Sequence, residues 1–335
     1  MTTAPLDVSA WLSEVQRAAR PALAAALSTL NPRMRRICEY QLGWLDGHSA
    51  GKSIRPLLTL ACAEAVGADS DRAMPAAVAV ELLHNCTLLQ DDVMDEDPTR
   101  RHRPAAWTVF GASPAILAGD ALLALAFAVL ARSGHAAAAP AIRELERTVD
   151  ELIEGQAMDL EFEGAEAIAV DDCLQMTVAK TGSLLGCACL LGGLFGGADE
   201  EACAALARFG RHLGLAYQLR DDLLGIWGDP HRTGKPAGAD LRRRKKSLPV
   251  AAALAANSDA SERLRQLYSR PEPFDDAEAR LVAELVRDAG GRAFAERLAD
   301  AELAAAADAL AVLTRLGATC DRLAILGRFV IGRDR

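Results

Sequence analysis

The chain has 335 residues, enough for two domains by size alone, yet no linker divides it, and we read one large domain over 1–335. Hydrophobic residues make up 51%, led by Ala and Leu, while aromatics are only 4% and long alternating β-branched runs are absent; this argues for helices packed through small side chains. A formal net charge of −9 disfavours a nucleic-acid partner, which would want a basic face.

In chain order, residues 6–30 read as an entry helix with Trp11, Val15 and Ala18/Ala19 on one face, Asp7 or Ser9 as its cap, and Pro21 as the point where it would break. Asn31-Pro32 restarts the chain into an amphipathic segment over 34–45. After a loop at 46–51, Lys52 and Arg55 lie one helical turn apart and Pro56 suits a first turn, so two cations would leave one helix start, an anion-binding arrangement. Residues 74–90 form a helix made apolar by Ala76, Val80, Leu83, Thr87 and Leu88. His84 interrupts it, two turns before Asp91 on about the same face.

Residues 91–97 then hold five acids in seven positions. Asp91 and Asp95 share a helix face, with Asp92 at its edge, so three carboxylates should converge late in the helix, where the dipole already disfavours negative charge. A cation should relieve them, and hard oxygen donors of this kind suit Mg²⁺ with waters and phosphate oxygens. Arg100, Arg101 and Arg103 follow within reach, the order a diphosphate site requires.

Helices are expected over 114–131 and 137–163, the latter carrying polar Gln156 and Asp159. Lys180-Thr181-Gly182 should open a helix, placing a cation and a hydroxyl near its start. Residues 181–198 are the one stretch that could pass for a membrane span, but six glycines mark it as a tightly packed internal helix, and no transmembrane span is expected. A long helical pattern from residue 200 ends in Asp221-Asp222, a second acidic site. Two other acid pairs, Asp171-Asp172 and Asp275-Asp276, stand at helix starts, where acids are favoured for structural reasons alone. Lys235, among glycines and a proline, belongs to a mobile loop that could close over phosphate. The basic run at 242–246 reads as largely a solvated face, and 248–335 as structural helices with a loop at 269–274. Eight scattered cysteines fit small, reduced, buried residues of a cytoplasmic protein; 1–7 lacks a signal-peptide pattern.

Taken in order, these motifs resemble those of the trans-isoprenyl diphosphate synthases of the polyprenyl synthetase family, over about 51–249. The resemblance implies an all-α fold, a bundle of antiparallel helices around a deep central cavity, and a homodimer. It implies that Asp91, Asp95 and Asp92 hold two Mg²⁺ ions and Asp221 with Asp222 a third once substrate is bound. Lys52, Arg55, His84 and Arg101 would bind isopentenyl diphosphate. Arg100, Lys180, Thr181, Gln218, Lys235 and Lys245 would hold the allylic diphosphate (dimethylallyl, geranyl or farnesyl), and Asp91, Asp95, Asp221, Arg100, Lys180 and Lys235 would carry the catalytic electrostatics.

This sequence departs from the family pattern at Gly225, where a third acid is usual, and at Ser53, Gln90 and His102; Asp229, two turns beyond Asp221, is the candidate to compensate for the missing acid. Product length should depend on Cys86 and Thr87, one turn below Asp91, and on Leu83. Neither of the first two is bulky, so a C20 geranylgeranyl product is expected, with C25 or longer as the alternative. A non-catalytic partner subunit and a class I terpene cyclase are the rival readings.

Overall fold

The computed structural model describes residues 7–45, 53–165, 168–228, 238–270 and 272–332. It is an all-α protein. The helices are α1 (Val8–Leu27), α2 (Pro32–Gln41), α3 (Ile54–Ala65), α4 (Met74–Met94), α5 (Ala106–Phe110), α6 (Ala112–Arg132), α7 (Ala138–Gly164), α8 (Val170–Thr177), α9 (Ser183–Gly196) and α10 (Glu200–Trp227). They continue as α11 (Ala239–Arg242), α12 (Leu248–Ala255), α13 (Asp259–Tyr268), α14 (Asp276–Asp288), α15 (Gly291–Arg315) and α16 (Asp321–Gly332).

Local chemistry sets many of these ends. Asp7 caps α1 by accepting from the N–H groups of Ser9 and Ala10, and Asn31 caps α2 through Met34 N. Asp275 forms a capping box with Glu278 at α14, and Asp171 and Asp172 lie in the first turn of α8, as their helix-start reading required. Pro21 does not break α1: the helix runs through it with Trp11, Val15, Ala19 and Leu23 buried on one side. That stripe outweighs the single backbone hydrogen bond a proline removes.

The backbone clusters into two compact units. The first takes the chain up to Arg147 with Cys187–Ala207 and Leu310–Leu326. Its centre is α4, packed most extensively on α6 and then on α3, and buried along Ala76, Ala79, Val80, Leu83, Cys86 and Leu89. The glycine-rich α9 fits the reading of a tightly packed helix. A Cβ on Gly192 would stand 2.2 Å from the Thr59 carbonyl oxygen, and one on Gly196 2.6 Å from Val66, so α9 lies against α3 at backbone distance.

The second unit takes Thr148–Gly186, Arg208–Ala309 and the chain from Gly327. One of its cores joins Cys173, Met176, Leu215, Leu219 and Leu248 to Ala295 and Ala299. Another gathers Ile226, Leu241, Val250, Leu264, Phe274, Val282 and Val286.

Several expectations change. Lys180-Thr181-Gly182 does not open a helix but lies in a π turn, Val178–Gly182, joining α8 to α9. After α4 comes a two-residue hairpin, Thr99–Arg100 against Arg103–Pro104, that composition gave no reason to expect. Its turn residues Arg101 and His102 both have positive φ (53° and 61°), the type I′ geometry, which is why glycine would suit position 102. Three members of the basic run are not part of a solvated face, while Arg243 and Lys245 are exposed. Arg242 pairs with Asp276, Lys246 donates to the Phe162 carbonyl, and Arg244 stacks over Tyr268 and Phe274 while donating to the Tyr268 carbonyl.

By length and composition two helices could cross a membrane, Ala112–Arg132 as well as Val170–Gly196; Asp120 and Arg132 hid the first in the sequence. All eight cysteines are free and buried. Burial pushes the thiols of Cys38, Cys86 and Cys173 up to about 12.

Candidate active site

In the first unit the apolar sequence of α4 keeps that helix inside, and its last turns bring polar groups to the end of the core. Asp91 is half-buried, Asp92 is 1% exposed, and Asp95 is the exposed C-cap. Asp92 is engaged by the hairpin that follows. Its Oδ1 accepts from Nε of Arg100 at 2.7 Å and also from Nη2, which the hairpin delivers back against the helix. Burial lifts the Asp92 carboxyl above the usual range against the pull of Arg100. Asp92 Oδ2 is buried and finds no hydrogen-bond partner among the described residues.

Two turns earlier, Arg55 Nη1 lies 3.0 Å from His84 Nε2. Burial, then the charges of Arg55, Arg101 and Arg100, hold His84 well below its ordinary value, so the ring is neutral at pH 7. Arg55 leaves the first turn of α3, whose N-cap Ser53 (φ 44°) makes no side-chain cap bond. Three residues expected to share an anion are therefore together: Arg55, His84 and Arg101.

Sequence reasoning missed what holds them. Glu81, 4% exposed, faces the charges of Arg55 and Arg101, and Asn85 donates to its Oε1 at 3.2 Å. Burial raises Glu81, and those cations oppose the rise. An acid in the middle of an apolar helix was the available signal.

Below Asp91, Leu83 and Cys86 are each 2% exposed, and Thr87 donates to the His84 carbonyl at 2.8 Å. Cys86 points its thiol at Gln90 Oε1 (3.7 Å), and Gln90 donates on to Asp120 at 3.3 Å. Gly119 permits this: a Cβ there would meet Gln90 Cγ at 3.2 Å.

In the second unit, Asp221 is exposed and Asp222 is 5% exposed near the end of α10. Gln218, one turn earlier, donates to Asp222 at 2.8 Å and accepts from the Thr181 hydroxyl at 3.1 Å. Burial pushes Asp222 up to about 7, while Lys245 and the Gln218 bond pull the other way. Lys180 is paired with Asp159 at 2.6 Å. The α7 segment that carries Asp159 also carries Gln156, whose amide nitrogen and oxygen are both buried without a partner among the described residues. Gly155 lets α7 approach, since a Cβ there would sit 2.7 Å from Lys180 N.

Lys52, Lys235 and Asp229 lie outside the described residues. Nor do the acids converge as the spacing suggested: among the described residues no three of His, Cys, Asp or Glu gather closely enough to hold an ion by themselves. Asp92 is engaged by Arg100, and Asp95 is the exposed C-cap, although its charge is still felt at Asp92. Mg²⁺ still fits. It takes one or two carboxylates and completes its shell with water and phosphate oxygens, and Asp92 Oδ2 is a buried acceptor left open.

A carboxylate beside a guanidinium group at the end of the buried α4, on an all-α scaffold, is the donor chemistry that a diphosphate and a divalent metal would use. The family follows from comparison. The polyprenyl synthetase model matches residues 34–286, and the chain belongs to that family, the trans-isoprenyl diphosphate synthases. It is 45% identical over 314 residues to a geranylgeranyl diphosphate synthase of Mycobacterium tuberculosis (91% of this chain, 90% of that one). It is 41% identical over 323 residues to a (2E,6E)-farnesyl diphosphate synthase of Mycobacterium bovis (94% and 90%). Among solved structures, the polyprenyl synthetase of Streptomyces coelicolor A3(2) superposes with a TM-score of 0.88 at 43% identity, covering 97% of this chain and 100% of that one. A geranylgeranyl pyrophosphate synthase of Corynebacterium glutamicum, complexed with isoprenyl diphosphate and magnesium, gives 0.81 at 25% identity, covering 98% and 100%. The chain is a trans-prenyltransferase.

Proposed function

We propose that the enzyme condenses isopentenyl diphosphate head-to-tail with allylic diphosphates, with Mg²⁺, to release geranylgeranyl diphosphate. The observation that carries this reading is the cluster of Arg55, neutral His84 and Arg101 beside an intact acid set on one helix. Both units are read as parts of one catalytic domain, in a cytoplasmic homodimer without a membrane span.

Asp91, Asp95 and Asp92 would hold two ions, and Asp221 with Asp222 a third. When bound, Mg²⁺ supplies charge neutralisation for the departing diphosphate, an electrostatic effect typically among the largest in such catalysis. Arg55, His84 and Arg101 hold the isopentenyl diphosphate, together with Lys52 by family resemblance alone. Arg100, Lys180, Thr181, Gln218 and Lys245 hold the allylic diphosphate, with Lys235 again by resemblance. Lys180 exchanges Asp159 for phosphate oxygens as substrate enters. The allylic C–O bond breaks, the isopentenyl double bond attacks the cation, and the released diphosphate takes the proton, so no side chain acts as nucleophile.

Relatives named for C15 and C20 products leave length to the residues below Asp91. Cys86, Thr87 and Leu83 put no aromatic ring there, which favours C20. Each helical turn is about 5.4 Å, comparable to one isoprene unit.

Incubating purified protein with Mg²⁺, isopentenyl diphosphate and each allylic starter tests the reading; a C20 product is expected. Product of C15 or C25 overturns the length, and activity only after a second chain is added supports the non-catalytic subunit that Gly225 suggests. Cys86→Phe should shorten the product, and an unchanged distribution would remove Cys86 from the gate.

A further inference from the structure

Gln90 is one of the positions at which the sequence departs from the family pattern, and it has no part in the proposed handling of metal or phosphate. It stands on α4 one turn beyond Cys86 and directly before Asp91, and its bonds run across to α6. A carboxylate can only accept, so the side-chain nitrogen of Gln90 must face Asp120, where it donates to Oδ1 at 3.3 Å. The amide oxygen is then turned the other way. It accepts from the Cys86 thiol, with Sγ 3.7 Å away.

This relay depends on bare backbone beside it. A Cβ on the buried Gly119 would stand 3.2 Å from Gln90 Cγ, 3.4 Å from its Nε2 and 3.5 Å from the Cys86 carbonyl oxygen. Ala115, Ala118 and Leu122 are buried along the same helix, which packs on α4 more extensively than on any other described element. Cys86 is itself turned toward α6, since the Leu123 backbone and the charge of Asp120 are both felt at its thiol.

We propose that Asp120 and Gln90 are positioning residues for product length, which hold the Cys86 thiol against α6 and so keep its level clear for the growing hydrocarbon tail. The inference rests on the reading above that the tail passes Cys86. A cysteine side chain turns about one bond with three staggered wells, and the relay selects one of them. With the relay broken the thiol populates the other wells and intrudes on the tail's path.

The readout is the product ratio from Mg²⁺, dimethylallyl diphosphate and isopentenyl diphosphate. Asp120→Ala and Gln90→Met should each raise C15 relative to C20 about fivefold, the factor that one net hydrogen bond is worth, with total turnover near wild type. Asp120→Asn still offers Gln90 an oxygen and should keep the wild-type ratio; a rise there equal to that of Asp120→Ala overturns the relay. Cys86→Ala leaves nothing to hold, so adding Asp120→Ala to it should move the ratio no further. A general loosening of α4 would shift the ratio with or without the thiol. If either single variant loses its cooperative melting transition, the other carries the test. A wild-type ratio in both, or the same rise in the Cys86→Ala background, overturns the inference and leaves the parent reading intact. A wild-type enzyme whose main product is not C20 overturns the parent reading and this inference with it.

Discussion

The two acidic sets solve the same electrostatic problem differently. On α4 the acids form a dense local motif, and one of them, Asp92, is withdrawn into the protein and neutralised by Arg100 from the following hairpin. On α10 there are only two adjacent acids, and the buried one, Asp222, is tied through Gln218 to Thr181 and stands near Lys245. Thus the first set is compact in sequence and carries its own counter-ion, while the second is assembled from α10, the π turn and the segment after residue 238. A motif search weighs the first heavily and undercounts the second.

The largest expected effect tests that asymmetry. Asp91→Ala should lower kcat about 10²–10³-fold, the scale of removing one preorganised electrostatic group. Asp221→Ala should cost less, because Asp222 remains beside it; equal losses in steady-state assays would dissolve the contrast. Next, Arg100→Met strands a buried acid and should destabilise the protein by up to about 3 kcal/mol, low for a broken buried pair because Arg100 is part-exposed. Adding Asp92→Asn should recover much of that melting temperature, and failure to recover would assign the loss to the hairpin.

The smallest effect is a pH dependence. With its carboxyl raised to about 7, Asp222 stays protonated in the folded protein over a range where the unfolded chain is ionised, so its contribution to stability falls as pH rises from about 4 through about 7. In EDTA, Asp222→Asn should therefore match wild type near pH 4 and melt progressively higher than it toward pH 8. A constant gap would mean that burial does not govern this carboxyl.

The sequence made some of this legible because the signals were local. Acids at a helix end oppose the dipole whatever the rest of the fold does, and acids at helix starts, such as Asp275, need no further explanation. Arg55, His84 and Arg101 were likewise found from spacing and resemblance. The unread parts depend on pairings across the chain. Arg100 and Asp92 were assigned to different ligands although each is the other's partner. Glu81 looked like an interruption in an apolar helix until Arg55 and Arg101 stood against it. Lys180-Thr181-Gly182 read as the opening of the glycine-rich helix, but α8 continues through a π turn, a feature that no residue pattern announces.

The sealed thiols also make the protein convenient to label. Thiolate is the reactive form, and every native cysteine is buried, several of them held protonated far above neutrality. A cysteine introduced at exposed Val109 would therefore be the one fast-reacting handle for a dye or spin probe, with all eight natural sulfurs left in place.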